Sequence, residues 1–352
     1  MAIGKVIIVP GIGGNELYTP ASLFGLGPRL RVWLDYSTIG AGGWRLLGLQ
    51  ADGITPSVPL TGPLTPGLPL PPYYALLCDR LRRLGWNVIG ARLDWRGTIQ
   101  RDAIRLADQV EEHGQGEPVH VIAHSRGGLV MRAALALLQQ RGRLGRVGRC
   151  LGLGVPHRGS WAAAGVLGLW NETVTLLDLL IHRAPGLGDL SGVFGPLASV
   201  IWSWPGPYEL LPSPGASGVP PEDIITIYDH LTWLRIKKNV SPTWLGAALA
   251  HWSNLPDTPT AVTWVDAVGY GVLTPVGLGD PLKLDTSQGL TYSSEGDGTV
   301  PSAWATQPGR RRINTPTSHN AMAFDGRLIA AVDEYLRLGL DHDITIQGGV
   351  LL

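Results

Sequence analysis

Apolar runs of strand length alternate with stretches of helical periodicity at both ends of the 352-residue chain. The runs are rich in Val, Ile and Leu, whereas the stretches between them repeat apolar residues every three or four positions. This alternation is typical of βαβ units and predicts a mostly parallel, doubly wound α/β sheet. The predicted strands cover residues 5–9, 86–91, 119–123, 150–155, 261–265 and 312–315, and the predicted helices cover 73–84, 102–112 and 325–338.

Two long stretches interrupt this rhythm. Residues 18–72 are rich in Gly and Pro, and residues 160–260 combine tryptophans with Pro-Gly turns. A compact domain does not need such lengths of irregular chain for connections alone. We therefore assign residues 1–17, 73–159 and 261–352 to an α/β core, and the two interrupting stretches to a cap or lid above the carboxyl edge of the sheet.

The most informative motif follows the third predicted strand and reads Ala-His-Ser-Arg-Gly-Gly over residues 123–128. Small residues around Ser125 permit a very tight turn, which exposes the hydroxyl group and starts a helix beneath it. This pattern is a nucleophile elbow in its A-x-S-x-G form. It predicts that Ser125 is a catalytic nucleophile, and that the ring of the preceding His124 points away from the pocket.

A serine nucleophile requires a base and an orienting carboxylate, which follow it in the chain order acid, then histidine, in doubly wound folds of this type. His319 lies between the last predicted strand and the last predicted helix, so its loop should reach the carboxyl edge of the sheet. His157, after an earlier strand, is its main rival. Asp297 lies in a Gly-Asp-Gly turn that can bend sharply inward, and Asp266 is the alternative acid. We predict the triad Ser125, Asp297 and His319.

The negative oxygen that forms when a carbonyl is attacked requires preorganised N–H donors. The amide of Arg126, directly after the nucleophile, is the first candidate. The glycine-rich loop at residues 10–15 can bring its backbone close to a substrate, and the amide of Ile12 is the second candidate. The spacing of this loop matches neither a dinucleotide fingerprint nor a P-loop, so phosphate binding is a weak alternative.

Composition narrows the classes of partner and site. The 28 basic and 28 acidic residues cancel, so no overall field favours nucleic acid. Cys78 and Cys150 are the only cysteines and show no metal-binding spacing, so we expect no disulfide, metal or other cofactor. The first predicted strand starts at Lys5 with no secretory signal before it, which predicts a cytoplasmic protein, or a secreted one if a leader has been removed. The oligomeric state is left open.

Several segments occur in the same order as in a known family. They are Val-Pro-Gly-Ile-Gly-Gly-Asn at 9–15, Leu-Asp-Trp-Arg at 93–96, the elbow, Val-Pro-His-Arg-Gly-Ser at 155–160, Tyr-Glu-Leu-Leu-Pro at 208–212 and Gly-Asp-Gly-Thr-Val at 296–300. On these motifs, nearly the whole chain resembles the lecithin:cholesterol acyltransferase and lysosomal phospholipase A2 family of α/β-hydrolases. The resemblance implies an α/β-hydrolase fold with an inserted cap or lid, and an acyl-enzyme mechanism on a carboxylic ester with the triad named above.

The chain also departs from this family. The relatives are usually secreted or lumenal and have a disulfide near the lid, and the sequence shows neither feature. Arg126 replaces a more usual apolar residue after the nucleophile, and we interpret its guanidinium as the partner of a carboxylate behind the elbow. Asp94 and Arg96 match a family motif, and we interpret them as an ion pair that braces the loop near the elbow.

Together these features predict a cofactor-free serine hydrolase, a lipase or esterase that cleaves small-molecule or lipid esters of apolar acyl groups. Trp161, Trp202 and Trp204 of the tryptophan-rich cap are candidates for contact with the acyl group or transiently with a lipid interface, and ordinary packing explains them equally well. An acyltransferase that uses an alcohol in place of water is the alternative. An amidase or thioesterase also stays open, whereas a non-catalytic binding protein of this fold should lack a triad residue.

Overall fold

The computed structural model describes residues 2–20, 29–58, 62–169 and 200–347. At its centre lies a seven-stranded sheet in which all paired strands run parallel. Across the sheet the strands are Ile344–Thr345 (β12), Arg311–Thr315 (β11), Trp264–Gly269 (β8), Val147–Leu153 (β7), Val119–His124 (β6), Lys5–Val9 (β1) and Asn87–Gly90 (β5). Because the strands are parallel, their carboxyl ends meet at one edge, and the loops that follow them can converge there.

Helices cover both faces of this sheet. Pro71–Arg83 (α2) and Gly326–Leu338 (α10) bury their apolar sides on one face, and Ile99–His113 (α3) and Arg126–Gln140 (α4) bury theirs on the other. The central strands are consequently covered on both faces, which explains why β1 is apolar from Val6 to Val9. The predicted doubly wound parallel sheet is confirmed.

Side chains at the helix ends explain where these helices begin. Thr98 precedes α3 and accepts a hydrogen bond from the amide of Arg101 at 3.3 Å. Asp325 precedes α10 and accepts from the amides of Arg327 and Leu328 at 2.8 and 3.3 Å. Such caps satisfy amides that have no partner within the helix. They fix α10 directly after the loop that carries His319.

The described parts of the irregular stretches form smaller elements. An antiparallel sheet contains Asn15–Tyr18 (β2), Arg31–Trp33 (β3) and Thr65–Pro69 (β4). In the part of the chain after residue 260, Thr274–Leu278 (β9) forms an antiparallel pair with Leu290–Ser293 (β10). The remaining helices are Tyr36–Gly40 (α1), Trp161–Gly168 (α5), Pro205–Tyr208 (α6), Pro221–Tyr228 (α7), His230–Arg235 (α8) and Pro242–Asn254 (α9). A separate apolar cluster joins the two stretches through Trp33, Trp95 and Trp204.

Most predicted elements are present with small displacements. The largest concerns the strand predicted at 261–265, which runs from Trp264 to Gly269, so that Asp266 lies within the strand rather than at its end. The division into core and cap stays a prediction, and part of the predicted cap, residues 170–199, lies outside the described residues. Within the described ranges, no helix combines the length and the hydropathy needed to cross a membrane.

Candidate active site

The candidate nucleophile lies on the sharp turn that joins β6 to α4. Ser125 has φ 55° and ψ −129°, a conformation that residues other than glycine rarely adopt. Its amide donates to the carbonyl oxygen of Leu153 on β7 at 2.9 Å, which secures the turn against the sheet. A Cβ atom on Gly127 would lie 2.5 Å from the carbonyl oxygen of Pro10. The glycine is therefore required by the close approach of α4 to the end of β1.

The structure brings the three predicted triad side chains into one chain of hydrogen bonds. His319 Nε2 lies 2.9 Å from Ser125 Oγ, and His319 Nδ1 lies 2.7 Å from Asp297 Oδ2. The other carboxylate oxygen of Asp297 accepts from the amides of Thr299 and Val300 at 2.9 and 2.7 Å. These donors stabilise an ionised carboxylate, which accepts from Nδ1–H and leaves the lone pair of Nε2 directed at the serine hydroxyl.

Close packing at two glycines allows the acid and base loops to reach the sheet edge. Gly154 follows β7 with φ +56°, and a Cβ atom there would lie 2.8 Å from Asp297 Oδ2 and 2.9 Å from His319 Nδ1. A Cβ atom on Gly269, at the end of β8, would overlap Asp297. The amide of His319 also donates to the carbonyl oxygen of Asp297 at 2.8 Å. The two loops are thus joined through their backbones as well as their side chains.

Three large aromatic side chains hold the glycine-rich loop after β1. The amide of Gly11 donates to Tyr74 Oη at 3.0 Å. The indole N–H groups of Trp33 and Trp95 donate to loop carbonyl oxygens at 2.7 and 3.1 Å. These bonds hold the loop at Gly11, before Ile12, and at Gly13 and Asn15, after it.

The two predicted oxyanion donors flank the nucleophile. Ile12 lines the same cavity as Ser125, and Arg126 is the first residue of α4. Within the described part of the chain, neither backbone amide donates a hydrogen bond. The amides of the first helical turn have no partner inside their own helix, so the amide of Arg126 is free for this geometric reason. Both groups are available to a substrate oxygen.

The guanidinium of Arg126 has a different environment from its amide. Its Nη1 donates to Asp102 Oδ2 at 2.8 Å and its Nη2 donates to the carbonyl oxygen of Gly97 at 2.7 Å. The two side chains are 1% and 0% exposed, and burial raises the pKa of Asp102. The guanidinium does not line the cavity. The interpretation that Arg126 pairs with a carboxylate behind the elbow is confirmed.

The predicted ion pair between Asp94 and Arg96 is also confirmed. Arg96 Nε and Nη2 donate to the two carboxylate oxygens of Asp94 at 2.9 and 2.8 Å. The third nitrogen, Nη1, donates to the carbonyl oxygen of Leu47 at 3.0 Å. Since both side chains are almost fully buried, the pair fixes the loop after β5 against the 18–72 stretch.

The expectation for His124 is wrong, because its ring lies beside the base and not away from the pocket. The centroids of the His124 and His319 rings are 4.9 Å apart, and His124 lines the cavity. Side chains alternate along β6, so His124 shares the face of Ile122, which is covered by α2 and α10. The loop of His319 leads into α10 on this same face. Burial lowers the pKa of His124 to about 3.

The rival histidine and the alternative acid are paired with each other. His157 Nε2 lies 3.0 Å from Asp266 Oδ1, and that oxygen also accepts from the indole of Trp264 at 2.7 Å. Both ionisable side chains are buried, and neither lines the cavity that contains Ser125. The shift of β8 explains this result, because Asp266 lies within the strand. The pair binds the loop after β7 to β8.

A cavity of about 350 Å³ opens beside Ser125 Oγ. Apart from the triad and His124, its walls carry no ionisable side chains other than two tyrosines, Tyr73 and Tyr74, among the described residues. More than half of its apolar lining residues belong to the 160–260 stretch. Its main apolar residues are Ile12, Pro156, Ala162, Ala163, Val166, Pro207, Leu210, Val272 and Val300. Such a cavity suits an uncharged, apolar group next to the nucleophile.

The candidate cap tryptophans are not among the residues that line this cavity. Trp161 and Trp204 are buried in apolar clusters. The indoles of Trp202 and Trp204 donate to carbonyl oxygens of Leu167 and Leu47 at 2.9 and 2.7 Å. These contacts favour the alternative interpretation, ordinary packing, for all three. Trp170 lies outside the described residues.

The described ranges contain no cluster of metal-ligating side chains, and both cysteine thiols are buried. There, no group of three or more His, Cys, Asp or Glu side chains could hold a metal ion. Cys78 and Cys150 are free and buried, and burial raises the pKa of the Cys150 thiol to about 12. Because a thiolate is the reactive form of cysteine, this shift makes Cys150 a poor nucleophile.

Comparison with known proteins gives structural matches alone. No protein-family model matches the chain, and no curated protein matches its sequence. A chain in the crystal structure of the Tle4–Tli4 complex has a TM-score of 0.55 at 14% identity, covering 97% of this chain and 100% of that chain. The propeptide form of the Bacillus licheniformis lipase BlEst2 has a TM-score of 0.45 at 15% identity, covering 99% and 52% of the two chains. The metagenomic carboxyl esterase MGS0156 has a TM-score of 0.41 at 12% identity, covering 97% and 77%.

At these identities the likeness concerns the fold. The chain has the α/β-hydrolase fold. In an α/β-hydrolase the nucleophile follows a central strand, and acid and histidine loops reach the same edge of the sheet. Ser125, Asp297 and His319 occupy these places here.

Sequence reasoning did not identify three residues that shape this site. The hydroxyl group of Tyr74 forms hydrogen bonds with the glycine-rich loop and with His124. The indole N–H groups of Trp33 and Trp95 donate to carbonyl oxygens of the same loop. Trp95 belongs to the Leu-Asp-Trp-Arg motif, which was a usable signal. Tyr74 and Trp33 lie in segments whose pattern indicates only a helix and an irregular stretch, so nothing in the sequence marks them.

Proposed function

We propose that this protein is a serine hydrolase that cleaves carboxylic esters of apolar acyl groups. The observation that carries the proposal is the chain of hydrogen bonds from Ser125 Oγ through His319 to Asp297, at 2.9 and 2.7 Å. It occurs at an elbow with two free backbone amides and an apolar cavity beside it. The motif resemblance to the lecithin:cholesterol acyltransferase and lysosomal phospholipase A2 family supports a lipid ester in particular.

In the proposed mechanism, His319 Nε2 takes the proton of Ser125 as Oγ attacks the ester carbonyl carbon. Asp297 holds Nδ1–H and stabilises the imidazolium that forms. The amides of Ile12 and Arg126 donate to the negative oxygen of the tetrahedral intermediate. His319 then protonates the departing alcohol oxygen, and the acyl group stays on Ser125. His319 then takes a proton from a water molecule, whose oxygen attacks the acyl carbon. The bond from that carbon to Ser125 Oγ breaks as His319 Nε2 returns the proton to Oγ, which releases the carboxylic acid and restores the free enzyme.

The cavity walls support the choice of acyl group. Burying one methylene group contributes about 0.8 kcal/mol, which corresponds to about a fourfold gain in kcat/KM for each methylene until the cavity is full. A negatively charged acyl chain would meet no cationic side chain in the described walls. We therefore expect neutral acyl chains longer than acetyl to be preferred, and succinyl esters to be poor substrates.

The proposal is tested by hydrolysis of p-nitrophenyl esters of increasing acyl length, with and without dispersed lipid. Ser125→Ala should lower kcat by about 10⁴-fold or more, because the covalent route is lost. Ser213→Ala is the matched control, since Ser213 is also buried but does not line the cavity. Turnover retained by Ser125→Ala would overturn the proposal. Addition of a long-chain alcohol, with analysis of the products, distinguishes hydrolysis from transfer of the acyl group.

A further inference from the structure

A second chain of hydrogen bonds runs behind the triad and links it to the glycine-rich loop. The amide of Gly11 lies 3.0 Å from Tyr74 Oη, and Tyr74 Oη lies 2.9 Å from His124 Nδ1. His124 Nε2 lies 3.0 Å from the carbonyl oxygen of His319. All four groups are buried, so each bond is made in a medium where an unpaired polar group is costly.

The direction of every bond in this chain follows from its two ends. A backbone amide can only donate and a backbone carbonyl can only accept. Tyr74 Oη therefore accepts from Gly11 and donates to His124 Nδ1, and His124 Nε2 carries the hydrogen that it donates to His319. One neutral tautomer of His124 satisfies all three bonds. The lowered pKa of His124, about 3, keeps the ring neutral over the working range of pH.

His124 cannot replace His319 as the base in this arrangement. Its Nδ1 is occupied by the tyrosine hydroxyl, and its Nε2 already carries a hydrogen that is donated elsewhere. The chain instead joins two loops that arrive from distant strands. Gly11 follows β1 and His319 follows β11, with β8, β7 and β6 between them in the sheet. His124 is at the end of β6, next to Ser125 itself.

We propose that Tyr74 and His124 are positioning residues that hold the oxyanion-binding loop and the base His319 at a set separation around Ser125. This inference rests on the proposed function of the site. Gly11 precedes Ile12, so a shift of Gly11 moves the candidate oxyanion amide. His124 holds His319 through its backbone, independently of the bond from Asp297 to the ring. The pair therefore acts on both sides of the reacting carbonyl group through the backbones of the two loops.

Tyr74→Phe tests the role of the hydroxyl group while keeping the ring. It leaves the amide of Gly11 and Nδ1 of His124 without a partner. We expect kcat to fall by about 10- to 100-fold with KM within about twofold of wild type, because the loss falls on the transition state. Titration with diethyl p-nitrophenyl phosphate should still release one p-nitrophenol per chain, at a reduced rate.

Tyr335→Phe is the matched control for the loss of a buried hydroxyl group. Tyr335 donates to the carbonyl oxygens of Cys150 and Thr263, at 2.9 and 3.1 Å, and does not line the cavity. This variant should lose stability in urea and keep the kcat and titration rate of wild type. A Tyr74→Phe protein with the wild-type rate, or with fewer titrated sites at the wild-type rate, would show a purely structural role and overturn the inference.

A second pair of variants gives an independent test at His124. His124→Gln keeps an N–H group that can donate to the carbonyl oxygen of His319, whereas His124→Ala keeps none. We expect the glutamine variant to have a kcat about tenfold higher than the alanine variant, and equal values would count against positioning. Ser125→Ala, measured beside them, tests the proposed function separately. An inactive Ser125→Ala together with wild-type behaviour of Tyr74→Phe would overturn the positioning role alone.

Discussion

Replacement of Arg126 by Met should destabilise the protein strongly while leaving substrate binding intact. The guanidinium donates to Asp102 at 2.8 Å and to the carbonyl oxygen of Gly97 at 2.7 Å, and it is 1% exposed. Methionine fills much of the same volume and retains the backbone amide. The change therefore removes one charge and two hydrogen bonds, and leaves the buried carboxylate of Asp102 with the more distant, partly exposed Arg105 at 3.5 Å.

The burial of this ion pair determines how much stability the substitution should cost. Removing one partner of a buried ion pair typically costs about 3–5 kcal/mol, because the remaining charge has lost its compensation. Asp102→Asn should cost a similar amount, although asparagine can still accept from the amide of Asp94, 3.1 Å away. In the double variant both charges are absent, so we expect a total loss of about 1–2 kcal/mol. The double-mutant cycle should thus give a coupling energy of several kcal/mol.

Urea denaturation of the four proteins at pH 8 measures this cycle. The loss in Arg126→Met should be smaller at pH 5, because the buried carboxyl of Asp102, without the guanidinium of Arg126, then takes up a proton in the folded state. The exposed pair of Arg82 and Asp79, 3.0 Å apart, provides the control. Arg82→Met should change stability by at most about 0.5 kcal/mol. A stable Arg126→Met protein with a raised KM would refute the reasoning, since it would place the guanidinium on the substrate.

Two further predictions concern the acid loop and the dependence of stability on pH. Gly154→Ala should lower kcat by about 10²-fold, because its Cβ would displace Asp297 and His319. Gly142, also at positive φ but in open space, provides the control, and Gly142→Ala should keep wild-type activity. Equal values of kcat in the two variants would contradict this account. Burial raises the pKa of Glu209 from 4.5 to about 7, so its contribution to the free energy of unfolding is lost as pH rises through 7. This loss amounts to about 3 kcal/mol between pH 5 and 8. Glu209→Gln should remove it, which urea denaturation over this range of pH measures. Parallel pH profiles of the two proteins would exclude this role.

The sheet and the triad positions could be predicted because each depends on local pattern and chain order. The run before Ser125 is apolar, its turn is built from small residues, and His319 falls between the last long strand and the last helix. Parallel strands place all such loops at one edge, so their meeting required no knowledge of the packing between helices. The bonds from His319 to Ser125 and Asp297 are consistent with this reasoning.

What could not be predicted depends on side-chain direction and on a small error of register. Because β8 runs from Trp264 to Gly269, Asp266 lies within the strand and not at the edge of the sheet, and its carboxylate contacts His157. The ring of His124 lies beside His319 because side chains alternate along β6, which places His124 on the face of the sheet that α10 covers. Tyr74 lies on α2, and its hydroxyl group reaches the site only when this helix packs on the sheet. Such contacts join segments far apart in sequence, and periodicity carries no information about them.

The tryptophan cluster beneath the glycine-rich loop has a consequence for protein engineering. Trp95 lies between Trp33 of the 18–72 stretch and Trp204 of the 160–260 stretch, with ring centroids 5.0 and 5.1 Å away. Since Trp33 and Trp95 also bond to the loop that carries Ile12, the 18–72 and 160–260 stretches contribute to the support of the candidate active site. Exchange of these segments with those of another protein of this fold, intended to alter the range of ligands, would have to retain this aromatic contact. We expect a minimal version without them to lose the proposed activity.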